Sequence, residues 1–86
     1  MSELAKTLMV AFHLLAGDQS GDYLAQEVVV SIPTLRRYIA DLRHMGCEIE
    51  TARSPSGYVY RLTNKRAVES RVCSWLELEM SRTLVI

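Results

Sequence analysis

Apolar residues recur at helical spacing in the first part of the chain. One stripe, at steps of i, i+4, i+8 and i+11, consists of Leu4, Leu8, Phe12 and Leu15. It predicts a first helix over residues 2–16 that buries these four side chains. Residues 17–19 then break the pattern, and Ser20 is a suitable N-cap for a short second helix predicted over residues 21–28.

A third, longer helix is predicted from Ser31 to Gly46. Ser31 is a favourable N-cap, Pro33 is compatible with the first turn of a helix, and Gly46 is a common C-terminal stop. Its buried stripe is Leu35, Ile39 and Leu42. The positions left for solvent or a partner are mostly polar, and those near the helix start are rich in arginine.

Three consecutive valines, residues 28–30, separate the second and third helices. They form either a turn or a short strand beside the helices. With a turn, the two helices have the helix-turn-helix arrangement, whose second helix enters the major groove of DNA.

The chain after the third helix changes to a period of two. Cys47, Ile49 and Thr51 alternate with more polar residues, residues 54–57 have the composition of a turn, and a second alternating run starts at Tyr58. This predicts a hairpin with Arg53 near its tip. Three helices followed by a hairpin predict an α+β winged helix-turn-helix domain over residues 1–64.

Residues 24–62 resemble the winged helix-turn-helix of biotin-operon repressors and DeoR-like regulators. The resemblance rests on short motifs in the same order and at similar spacing, namely Leu24-Ala25, Val30-Ser31, Thr34-Leu35-Arg36-Arg37, the run from Ile39 to Gly46, Glu48-Ile49 and Gly57-Tyr58. It implies double-stranded DNA as the partner. The chain departs from the pattern at Val29, where such domains often carry glycine, and at Ile32-Pro33, which replace a polar or basic pair.

The resemblance also implies roles for individual residues. Ser31, Thr34 and Arg37 would hold phosphates, while Pro33 and Arg36 would lie near base edges. The wing residues Arg53, Ser54 and Ser56 would lie over the backbone or in the minor groove.

The charges are distributed unevenly, although their formal sum is zero. Residues 32–66 carry seven basic and three acidic side chains, a net charge of +4, and the other residues together carry −4. This asymmetry favours a basic binding face. The alternative is a solvated face in which Arg36, Arg37 and Arg43 pair with acids such as Asp41. The alternative function, which the zero net charge and the Ile32-Pro33 pair favour, is a protein-interaction module with the same fold.

A C-terminal helix is expected from about residue 65 to residue 83, as a segment 65–86 outside the winged domain. Its apolar stripe includes Val72, Trp75, Leu76 and Met80. Such a stripe either packs back on the first helix or joins two copies into a homodimer, and paired DNA half-sites favour the homodimer.

Other chemistry is not indicated. The sequence has no nucleophile turn, glycine-rich phosphate loop or metal-ligand cluster, so we expect no enzyme activity, cofactor, metal or small-molecule ligand. Cys47 and Cys73 lack metal or disulfide patterns, and we expect reduced, buried thiols in a cytoplasmic protein without a membrane span. A small transcriptional regulator, similar in size to those of phages and plasmids, is the expected function.

Overall fold

The computed structural model describes residues 2–55, 57–71 and 74. Its elements are α1 (Glu3–Ala16), β1 (Gln19–Ser20), α2 (Gly21–Val28), α3 (Ile32–His44), β2 (Ile49–Ser54) and β3 (Gly57–Leu62). A fourth helix, α4, covers residues 65–71, and residue 74 is also helical. Over the described residues, the helices and a three-stranded antiparallel sheet form the predicted α+β winged helix-turn-helix fold.

Serine side chains begin the first three helices. Ser2, Ser20 and Ser31 each have extended backbone and accept a hydrogen bond from the amide three residues later, at 3.1, 3.1 and 3.3 Å. Each bond satisfies an amide that has no partner within its helix. These caps explain why α2 and α3 begin where the sequence predicts.

The wing is the hairpin of β2 and β3, in a register that pairs Ile49 with Leu62 and Ser54 with Gly57. Ile49 and Leu62 at its base and Tyr60 farther along β3 are buried in the core, whereas Thr51, the partner of Tyr60, is exposed. The two-residue strand β1, which the sequence pattern does not predict, pairs with β3 on the other side.

The valine run ends α2 and forms the turn that follows it, and the strand alternative is wrong. Val28 ends α2, and Val29 adopts left-handed backbone with φ 56° and ψ 60°. The amide of Val29 donates to Gln26 O at 3.3 Å and that of Val30 to Ala25 O at 3.0 Å. These two bonds are the Schellman pattern of helix termination, which usually has glycine at the left-handed position.

Helix α1 buries a different face from the one predicted. Its buried residues are Thr7, Leu8, Val10, Ala11 and Leu14. Of the predicted stripe, Leu8 is buried and Leu15 is half-buried, but Leu4 is 42% and Phe12 is 49% exposed. The hydroxyl of Thr7 donates to Glu3 O at 2.8 Å, which allows this polar residue to be buried.

The prediction failed because residues 8–16 are apolar around almost the whole circumference of the helix. When several stripes are apolar, spacing along one helix does not determine which stripe is buried. The choice is made by packing, since α1 lies against α3, α2 and β3.

The described part of α4 begins on the same core. Val68 is fully buried in the core cluster, and the guanidinium of Arg71 lies over Gly46, which has φ +105°. Cys47 is a buried free thiol, as predicted; burial raises its pKa, and the charge of Arg71 opposes that shift. Cys73 and most of the predicted C-terminal helix, with Val72, Trp75, Leu76 and Met80, lie outside the described residues.

Candidate nucleic-acid interface

The start of α3 presents the polar groups to which the resemblance gives a phosphate-binding role. Ser31 is exposed and Thr34 is half-buried. The Ser31 hydroxyl donates to Thr34 Oγ1 at 3.0 Å while it accepts the Thr34 amide, so the two hydroxyls form one linked pair at the positive end of the helix. Pro33 is exposed in the first turn and presents an apolar surface beside them.

Arg36 and Arg37 are both exposed on α3 but differ in their partners. Arg37 Nη2 donates to Glu3 Oε1 at the start of α1, at 2.5 Å, in an exposed ion pair. Among the described residues, the guanidinium of Arg36 has no hydrogen-bond or ion-pair partner, and no ion pair involves Asp41. Arg36 is therefore available to a ligand, whereas Arg37 would have to leave or share Glu3.

Arg43 joins the far end of α3 to the wing. Its Nε and Nη2 donate to Ile49 O at 3.3 and 3.0 Å, and Nη2 also donates to Thr51 Oγ1 at 3.1 Å. The carbonyl of Ile49 lies at the start of β2. A guanidinium held by three hydrogen bonds on one edge still presents the donors of its other nitrogen, Nη1.

The wing carries two of its predicted residues toward its tip. Arg53 is exposed and pairs across the hairpin with Tyr58, so the two side chains project from one face of the sheet. Ser54 is half-buried, and its hydroxyl donates to Gly57 O at 2.9 Å across the end of the hairpin. Ser56 lies outside the described residues.

A groove of about 350 Å³ separates α3 from the wing. Arg36 and Arg43 line it from α3, and Thr51 and Tyr58 line it from the wing. The buried side chains of Ile39 and Tyr60 complete the lining. We call this depression the α3–wing groove. It contains two arginines and no carboxylate among the described residues that line it.

A second ion pair holds the other face of the sheet to the start of β1. Arg61 donates from Nε and Nη2 to Asp18 Oδ2 at 3.0 and 2.9 Å. These hydrogen bonds are the main reason why the pKa of Asp18 lies below its ordinary value, and they raise the pKa of Arg61. Arg61 is thus already neutralised by a carboxylate.

A comparison with protein families supports the same interpretation of the fold. A family model described as HTH domain matches residues 7–59. The chain belongs to the helix-turn-helix domain family. The match extends from α1 to the second strand of the wing, so this helix-turn-helix domain is of the DNA-binding, winged kind. Comparison with curated proteins and with solved structures gave no match.

Two further findings concern the described residues only. In these parts of the helix-turn-helix domain, no helix is long and apolar enough to cross a membrane. Nor does any group of three or more His, Cys, Asp or Glu side chains within them have an arrangement suited to a metal ion.

Two residues of the interface were not selected from the sequence. Arg43 lies seven residues after Arg36, which places both on one side of a helix, and this spacing was a usable signal. Tyr58 was assigned to a strand and, with Gly57, to a motif of the resemblance, but not to a DNA contact. The Glu3–Arg37 pair joins residues 34 positions apart, and no local pattern indicates it.

Proposed function

We propose that this helix-turn-helix domain is a transcriptional regulator that places α3 in the major groove and the wing over the backbone or in the minor groove. The observation that carries the proposal is the guanidinium of Arg36, which lines the α3–wing groove, is exposed and has no partner within the described part of the chain. Arg53 supports it, because it is exposed on the same face of the wing as Tyr58, which lines that groove.

Salt-dependent DNA binding tests this proposal. Arginines that neutralise phosphates displace condensed counterions, so we expect the affinity for duplex DNA to fall as salt rises. A gel-shift series with a labelled mixed-sequence duplex at several salt concentrations measures this dependence. Absence of a shift at the lowest salt concentration would contradict DNA binding.

The roles of the two adjacent arginines are proposed to differ. Arg36 reaches a base edge, where a bidentate contact with guanine contributes roughly 1–3 kcal/mol of discrimination, and Arg37 holds a phosphate. Arg36→Ala should reduce the preference for a duplex selected from random DNA over its scrambled version. Arg37→Ala should weaken binding to both duplexes equally, and identical behaviour of the two variants would contradict the assignment.

The ion pair with Glu3 makes a further expectation possible. Glu3→Gln frees Arg37 and removes a negative charge beside the interface, and exposed ion pairs contribute about 0.2–1 kcal/mol. We therefore expect DNA affinity to rise by a factor of up to about 5. Glu27→Gln, which removes an exposed carboxylate of α2, is the matched control.

We further propose that the segment 65–86 makes the regulator a homodimer through Val72, Trp75, Leu76 and Met80. The apolar stripe in the sequence supports this proposal. In such a dimer, the two copies of α3 would contact DNA half-sites about one helical turn apart. Sedimentation should report a dimer for the wild type and a monomer for Trp75→Ala with Leu76→Asp. A wild-type monomer would contradict the proposal.

A second candidate function is protein binding, favoured by the apolar surface around the valine turn. Val29, Val30 and Ile32 line an open depression beside α2, and Val29 is 80% exposed. If no duplex is bound at low salt, this surface becomes the better candidate site. Cross-linking with a photoreactive residue in place of Val29 would then identify the bound protein.

A further inference from the structure

We infer that the α3–wing groove receives the phosphodiester backbone of one DNA strand, and that Arg43 and Tyr58 contact a phosphate there. The inference rests on the proposed function and adds to it two residues to which the resemblance gives no contact with DNA. The DNA strand in question is the one whose backbone separates the major groove from the minor groove.

The geometry of duplex DNA leads to this placement. In B-DNA, a phosphodiester backbone separates the major groove from the adjacent minor groove. If α3 enters the major groove and the tip of the wing reaches the minor groove, that backbone has to pass between them. The α3–wing groove is the depression that separates these two elements, and it is lined from both sides.

The lining of the groove matches a phosphate in charge. Arg36 and Arg43 supply two positive charges from α3, and no described residue of the lining is acidic. Outside the groove, Arg37 and Arg61 are each paired with a carboxylate, whereas Arg53 is exposed on the wing. On α3, the arginines without a carboxylate partner among the described residues are therefore the two that line the groove.

Arg43 is held in position before any ligand binds. Hydrogen bonds to Ile49 O and Thr51 Oγ1 engage Nε and Nη2, and Nη1 has no hydrogen-bond partner among the described residues. Ordering a long side chain at an interface reduces the affinity gained. A guanidinium that is already fixed avoids much of that loss, and its planar shape suits phosphate oxygens.

Tyr58 provides a neutral donor from the opposite side of the groove. Its side chain is 44% exposed, and its hydroxyl has no partner among the described residues. A phenol hydroxyl donates to a phosphate oxygen without changing the number of counterions released. Arg43 and Tyr58 therefore predict two different signatures in one binding experiment.

The test is fluorescence anisotropy with a fluorescein-labelled mixed-sequence duplex over a series of KCl concentrations. Arg43→Ala should weaken binding about tenfold and reduce the slope of log affinity against log salt by about 0.9, the value for one phosphate contact. Tyr58→Phe should weaken binding about fivefold with the slope unchanged. Arg66→Ala, at an exposed arginine of α4 that does not line the groove, is the charge-matched control and should change both quantities less than Arg43→Ala does.

Two variants of Arg43 and the wild-type result distinguish failure of the inference from failure of the proposed function. Arg43→Ala removes the link to the wing, so its thermal unfolding is measured in parallel, and Arg43→Lys should keep the wild-type slope if the charge is what binds. Salt-dependent binding by the wild type with an unchanged slope in Arg43→Ala would overturn the inference and leave the proposed function standing. Failure of the wild type to bind at low salt would overturn both.

Discussion

Replacing Val29 by glycine should stabilise the protein, although it removes an apolar side chain. Left-handed backbone costs a non-glycine residue roughly 1–2 kcal/mol, and β-branched residues lie at the upper end. Glycine also gives the unfolded chain more conformational freedom, which lowers the free energy of unfolding by about 0.4–1 kcal/mol. Because Val29 is 80% exposed, the lost burial amounts to only about a fifth of the ~1.5–3 kcal/mol for a fully buried valine.

The difference is a gain of close to 1 kcal/mol, which for a domain of this size raises Tm by roughly 4–8 °C. Thermal unfolding followed by circular dichroism measures it. Val30→Gly is the matched control: Val30 has no positive φ and packs partly against the core, so this variant should have a lower Tm. A Tm for Val29→Gly at or below that of the wild type would refute the calculation.

Two other substitutions test the packing of α1 and the ion pair of the sheet. Leu14→Ala should reduce the free energy of unfolding by about 2–5 kcal/mol because Leu14 is fully buried, whereas Phe12→Ala, at a half-exposed position, should cost clearly less; chemical denaturation compares them. Since the pKa of Asp18 is lowered by Arg61, the pair stabilises the fold above the ordinary aspartate pKa, and this contribution is lost as pH falls through the folded-state value. Asp18→Asn should therefore weaken the dependence of the free energy of unfolding on pH below about pH 4. An unchanged acid-unfolding profile would contradict this expectation.

Local signals in the sequence predicted α2, α3 and the wing well. Ser20 and Ser31 are caps, and Gly46 follows α3 closely, so the bounds of these helices depend on residues at or next to their ends. The alternation of apolar and polar residues around Tyr60 predicted β3, the strand that pairs with β2 in the hairpin. Each of these features is decided by neighbours within a few positions along the chain.

Features that depend on distant partners were not predicted. The buried face of α1 is selected by contact with α3, and β1 exists only because Gln19 pairs with Tyr60. In the candidate site, the sequence identified Arg36 as exposed, but not that Glu3 engages Arg37 or that the wing fixes Arg43. Such contacts form only when distant elements pack together, so the periodicity of one element does not predict them.

Strand β1 limits how far the wing can change its angle to the rest of the domain. Ser20 pairs with Val59 in the wing and also caps α2, so one residue belongs to both units. The wing is consequently attached to the helices at β1 as well as through the loop after α3. Rotation of the wing as a rigid body would break the backbone hydrogen bonds between β1 and β3. Because breaking these hydrogen bonds costs free energy, the wing is expected to meet a duplex at close to the angle that it has in the free protein.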